Sequence, residues 1–210
     1  YRSSDDPQNA DDDGIADGRE LSRKSLRLDW RRNWIIGPGL VGTLMGEGSA
    51  DIYSIRQAAV YEGTISRLHG AVAAELRWPW VKASATGATH VIEPVAQFIW
   101  ASSNAEVLPN EDSVLVEFDE GSLFSLDRFP GSDAVERGPR ANLGVTWTRY
   151  DPSGWSMGVT LGRVFREADL DQFGPGSGLG GTTSDWLAAV NFDLADGLAL
   201  TARTVLDDDL

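Results

Sequence analysis

Arg140-Ala141-Asn142-Leu143-Gly144-Val145-Thr146-Trp147-Thr148-Arg149-Tyr150, then Asp151-Pro152-Ser153-Gly154, then Trp155-Ser156-Met157-Gly158-Val159-Thr160-Leu161-Gly162, is the stretch that decides the fold. Ala141, Leu143, Val145 and Trp147 alternate with Asn142, Gly144, Thr146 and Thr148. After the break, Trp155, Met157, Val159 and Leu161 alternate with Ser156, Gly158, Thr160 and Gly162. Successive side chains of a strand point to opposite faces, so each run has one apolar face and one small, polar face. Asp, Pro, Ser and Gly between them are the residues of a tight turn. The stretch reads as a β-hairpin.

The same period runs through the chain. Leu26, Leu28 and Trp30 alternate with Arg27 and Asp29, and Trp186-Ala188-Val190-Phe192-Leu194 and Leu198-Leu200-Ala202 repeat the pattern. Ile92-Pro94-Ala96-Phe98-Trp100 is less clean, because Val95 and Ile99 sit among the intervening positions. Strands are expected at 21–35, 39–53, 62–80, 89–102, 138–150, 155–167, 183–195 and 198–206. The connections alternate between short and long. Gly37-Pro38-Gly39, Asp151–Gly154 and Asp196-Gly197 are tight, the link at 81–88 is looser, and about 35 residues separate the fourth and fifth strands.

A soluble sandwich also alternates, so three further features choose the solvent. The polar faces carry Gly, Ser, Thr, Asn and Arg, which suit a watery lumen. Seven of the 8 tryptophans (Trp34, Trp78, Trp80, Trp100, Trp147, Trp155, Trp186) lie near segment ends, where the interfaces of a bilayer fall. The segments run about 10 to 15 residues, against five or six in soluble sheets. No run of about 18 apolar residues occurs, which excludes a spanning helix. A net charge of -14 with scattered basic residues argues against nucleic acid as a partner. Without Cys there is neither a disulfide nor a thiolate metal site. The expected fold is all-β: an antiparallel up-and-down transmembrane β-barrel segment, about eight strands of a larger barrel, with one long structured loop. Residues 1–210 read as part of one such domain, with an acidic loop at 1–20 and the long loop at 103–137. The start at Tyr1 without Met and the close on an Asp run read as a piece of a longer secreted precursor.

The region from His90 to Tyr150 is more specific than a generic barrel. His90-Val91-Ile92-Glu93-Pro94 opens a strand, and Pro109, Asn110, Glu111, Asp112 and Ser113 follow in the long connection. Next come Glu117-Phe118-Asp119-Glu120, Ser122-Leu123-Phe124 and Asp127-Arg128-Phe129-Pro130-Gly131-Ser132-Asp133, and Glu136-Arg137-Gly138 leads into the next strand. This order resembles the LptD family of lipopolysaccharide-assembly proteins, as does Asp17–Arg23 before Asp29-Trp30-Arg31-Arg32. The resemblance implies a Gram-negative outer-membrane location and a periplasmic domain outside this span. It also implies lipopolysaccharide as cargo, an LptE-like plug lipoprotein, periplasmic bridge components and membrane lipid as partners, and no enzymatic step. A general outer-membrane pore is the alternative, and an outer-membrane hydrolase a third reading.

A 35-residue connection needs structure of its own. Val114, Leu115, Val116, Phe118, Leu123, Phe124, Leu126 and Phe129 are expected to pack as a short helix and folded loop over or into the barrel mouth. Asp112, Asp119, Asp127, Arg128, Asp133, Glu136 and Arg137 would pair to hold it. Such a loop either caps the lumen or touches the sugar-phosphate head of lipopolysaccharide or the plug. Asn9, Asp11, Asp13, Asp17 and Glu20, with Gly14, have the spacing of a calcium loop, so a bound Ca²⁺ stands beside the reading of a solvated acidic rim. No other cofactor is implied. His69 and His90 sit in no metal spacing and beside no nucleophile, and read as ordinary barrel residues. Phe173–Gly181 lacks the Lys-Ser/Thr of a phosphate loop and reads as a flexible surface loop.

Overall fold

The structure is a computed structural model that describes residues 20–56, 63–102 and 115–207, with backbone only at 20, 21, 55 and 56. They form one antiparallel sheet of nine strands: β1 Glu20–Ile36, β2 Leu40–Arg56, β3 Gly63–Arg77, β4 Trp80–Ala83, β5 Thr89–Ala101, β6 Arg140–Tyr150, β7 Ser156–Arg166, β8 Trp186–Asp193 and β9 Ala199–Leu206. Each strand pairs with the next along the chain, except that β3 and β4 both pair with β5, and this is the order of an up-and-down barrel wall. β1 and β9 are the two edges, so the sheet is a barrel segment and not a closed barrel.

The strand expected at 62–80 appears as β3 and β4. Arg77 pairs with Val95 and Trp80 with Ile92, which is one unbroken register along β5. Pro79 has no N–H to give the ladder, and the break falls there. The Trp78 N–H still reaches the Pro94 carbonyl at 3.1 Å. The strand therefore runs on to Ala83, which corrects the looser link expected at 81–88. The turn is tight: Ser84 N–H donates to Ala88 O at 2.8 Å, and Gly87 has φ +85°. All four short connections then lie at one end of the sheet, at 37–39, 84–88, 151–155 and 194–198.

The two faces differ as the alternation requires. Leu26, Leu28, Trp30, Leu68, Val72, Phe98, Trp100, Leu143, Val145 and Leu161 form one face, and all are exposed. So large an uncovered apolar face is a surface for lipid, not water. Aromatic contacts collect toward the short-turn end: Trp78 against Trp80 at 5.1 Å, His90 stacked on Trp147 at 5.8 Å, and Trp155 with Phe192 at 5.5 Å. On the inner face lie Thr43, Asp51, Tyr53, Arg67, Glu75, Gln97, Arg140, Asn142 and Arg166, all buried. They are buried by a loop.

Candidate functional site: a loop strapped across the inner wall

The connection between β5 and β6 is described from Leu115 onward, so Pro109, Asn110, Glu111, Asp112, Ser113 and Val114 lie outside the described residues. The remainder folds onto the inner face without a helix, which corrects the short helix expected there. A single turn stands in its place. The Asp119 carbonyl accepts from Leu123 N–H at 2.9 Å, and the Asp119 carboxylate caps Ser122 N–H at 2.7 Å. That turn aims Leu123 at the wall. Gly144 and Gly162 face each other across β6 and β7, and Leu123 fills the hollow between them with no exposure. Val116, Phe118, Leu123, Val164, Leu179 and Leu187 make one apolar cluster, with Phe124, Phe129 and Phe173 against it. Burying Leu123 alone contributes about 1.5–3 kcal/mol.

Three polar anchors cross the wall, each built on directly opposed residues of neighbouring strands. On β1, β2 and β3, Asp51 takes Arg67 Nη2 at 2.7 Å, Arg23 Nη2 at 2.9 Å and Ser25 Oγ at 2.5 Å. The two guanidiniums then hold the loop: Arg23 Nη1 lies 2.7 Å from Asp133 Oδ1, and Arg67 Nη2 donates to Ser132 O at 2.6 Å. Tyr53 Oη adds a bond of 3.2 Å to Asp133. In the middle, Glu75, Gln97 and Asn142 form a row over β3, β5 and β6. Gln97 Nε2 donates to Glu75 at 2.9 Å and to Phe124 O at 3.0 Å, and Asn142 Nδ2 donates to Gln97 Oε1 at 2.7 Å.

The third anchor is on β6 and β7, where Arg140 and Arg166 face each other. Glu136 lies between them, 3.3 Å from Arg140 Nε and 3.3 Å from Arg166 Nη2. Arg128 of the loop places Nη1 2.8 and 2.6 Å from its two oxygens, and its Nη2 donates to Leu123 O at 2.7 Å. Burial by itself raises the Glu136 pKa, but the three guanidiniums outweigh it and hold the carboxyl below its usual value. Asp127 behaves oppositely. Burial raises its pKa, against the lowering effect of the N–H bonds from Phe129 and Glu136.

Phe118, Asp119, Leu123, Phe124, Asp127, Arg128, Phe129, Asp133 and Glu136 thus converge on one assembly, while Gly131 borders its open side. Gly138, at φ +85°, ends the loop by donating to Ser102 O at 3.2 Å. Asp119 also pairs with Arg203 of β9 at 3.1 Å. The β7–β8 connection is a second correction, because it is not a loose surface loop. Leu179 and Ser184 are fully buried, Phe173 stacks on Phe129 at 5.3 Å, and Arg137 exchanges two bonds with Gln172 at 2.9 and 3.1 Å. Sequence reasoning missed the wall partners Arg23, Asp51, Arg67, Gln97 and Arg166. Their one visible signal was a charged or amide side chain at an inward position of an apolar strand.

Between the loop and β1–β2 remains a cleft of ≈ 630 Å³, lined among others by Arg27, Asp29, Arg31, Glu47, Phe124 and Phe129. His69 faces inward and is buried, whereas His90 stacks on the outward Trp147, so the two histidines share no site. Among the described residues no group of three His, Asp or Glu is placed to hold a metal ion. Asn9, Asp11, Asp13 and Asp17 lie outside the described residues, and Glu20 opens β1.

The sequence resemblance implies a segment of a barrel wall, and the family comparison agrees with it. The model for LPS transport system D matches residues 1–210. The chain belongs to the LptD family. A search of curated proteins finds no match. The LptD match spans the wall and the loop together, so the three anchors lie within the matched residues. Membership makes the chain a component of lipopolysaccharide transport and assembly.

Proposed function

We propose that this chain is a wall segment of an outer-membrane barrel that carries lipopolysaccharide and inserts it into the outer leaflet. The observation that carries this reading is the pairing of an uncovered apolar face with a polar inner face that a buried loop only half fills. Lipid covers the first. The cleft beside Arg27, Asp29 and Arg31 offers the second to a hydrated, charged glycan. No covalent step is assigned to any residue. The loop narrows the lumen and sets where cargo, or a plug lipoprotein, can lie. The periplasmic bridge components would deliver cargo from the short-turn end.

Photo-crosslinking in cells tests this, with the probe at inward Asp29 and Thr146 and, as controls, at outward Leu28 and Val145. Lipopolysaccharide adducts at the inward positions that vanish when the transport machine is stopped are expected. A correctly inserted protein that conducts ions yet gives no inward adduct would instead be a passive pore.

A further inference from the structure

Three guanidiniums meet one carboxylate in the third anchor, and the count is uneven. The side chains of Arg128, Arg140 and Glu136 are fully buried and that of Arg166 nearly so. Other donors of these arginines are spent on carbonyls: Arg166 Nη1 on Leu179 O at 3.0 Å, Arg140 Nη1 on Gly138 O at 3.2 Å, and Arg140 Nη2 on Leu126 O. The Nε atoms of Arg128, Arg140 and Arg166 are all buried without a hydrogen-bond acceptor among the described residues. The Arg140 Nε is within ion-pair reach of Glu136, but the two do not align as a bond. A carboxylate has two oxygens in one plane and cannot satisfy three forks from three directions. A tetrahedral oxyanion, with three or four acceptor oxygens, can take the forks of the two opposed wall arginines from both sides.

We propose that Arg140 and Arg166 of the wall form a phosphate-binding site, and that Glu136, held by Arg128 of the loop, occupies it as an internal substitute while the loop is docked. Arginine suits this role because its planar fork matches phosphate bidentately and keeps its charge when desolvated. Two of the three arginines belong to the rigid wall, so they stay paired if the loop lifts. Glu136 and Arg128 leave with it. A phosphate group then competes with Glu136 for the wall pair, and its arrival favours the undocked loop to the extent that it binds that state better. The wall pair faces the lumen, so the phosphate reaches it from there, either free in solution or carried on a lipid. The site does not depend on which cargo crosses the barrel.

The test is phosphate binding to the full-length protein, in detergent for inorganic phosphate and in phosphatidylcholine nanodiscs with or without phosphatidic acid for the lipid-borne form. Glu136→Gln removes the competitor and should tighten binding about tenfold, the weight of one charge-assisted bond. Arg166→Gln should abolish binding in both backgrounds, and Arg166→Lys, which keeps the charge but loses the fork, should weaken it. Heat-modifiable gel migration confirms that each variant is folded, and Arg140→Gln serves if Arg166→Gln is not. Binding of inorganic phosphate alone assigns a soluble ligand, and a response to phosphatidic acid alone assigns a lipid headgroup. Equal affinity in the wild type and Glu136→Gln, unaltered binding in folded Arg166→Gln or Arg140→Gln, or no binding of either form would overturn the proposal.

Discussion

Replacing Gly162 by Ala should lift the loop from the wall while leaving the wall intact. An added Cβ would lie 2.2 Å from Leu123 Cδ2, 3.0 Å from Leu123 Cδ1 and 3.1 Å from the Leu143 carbonyl oxygen. The carbonyl belongs to the β6 ladder and cannot retreat, so Leu123 must. Its hollow has no spare depth, because the partner Gly144 is already within contact of Leu123 and Phe124. Leu123 therefore loses its burial, which costs about 1.5–3 kcal/mol of docking. The docked population falls relative to the undocked one by roughly 10- to 150-fold. Hydrogen–deuterium exchange of the folded, full-length protein reads this directly: uptake over residues 119–137 should rise, while β6 and β7 keep their protection. Gly158→Ala is the control, since a Cβ there meets nothing nearer than Thr148 Oγ1 at 3.9 Å. Leu123→Ala in the Gly162→Ala background should cost less than the two changes summed, because the second removes the clash of the first. Unchanged loop protection in Gly162→Ala, or equal exposure in Gly158→Ala, would refute the socket.

Three further outcomes follow from the anchors. Asp51→Ala leaves Arg67 buried without its carboxylate, so the β1–β3 end of the loop should be weakened by about 3–5 kcal/mol, seen as a lower heat-modifiability temperature. The Glu136 pKa is lowered on folding, so its contribution is complete above the ordinary carboxylate range and is lost only as pH falls through its lower folded value. Loop protection should accordingly persist from pH 7 through about 4.3, the usual value for Glu, and fail below it; release at pH 5 to 6 would contradict this assignment. Asp127 has the opposite sign, since a raised folded pKa gives stability below the ordinary range that is lost as pH rises through the folded value. Asp127→Asn keeps the acceptor for the Phe129 and Glu136 N–H groups but removes the charge. It should increase loop protection at pH 7 and make no difference in acid.

What was legible in the sequence is what depends on one strand at a time. The outward direction of Leu26, Leu28 and Trp30 follows from a period of two, and so does the inward direction of Thr146 and Thr160, whose hydroxyls meet at 3.1 Å. The short turns follow from their Gly, Pro and Asp residues. The charged residues of the long loop were legible as anchors, because an acid and a base buried in a structured connection must find partners. The identity of those partners was not legible. Asp51 meets Asp133 through Arg23, and Glu136 meets Arg166, across separations of 82 and 30 residues. Strand register and the path of the loop jointly set such meetings, and neither has a local signal. For the same reason Gly144 and Gly162 looked like ordinary small lumen residues, and Phe173–Gly181 looked loose. The alternation by itself determined the strands and their two faces, because backbone geometry makes that pattern independent of distant contacts. Only the tertiary structure decided which inward residues the loop would bury, because that depends on where three strands and a turn bring their side chains to one point.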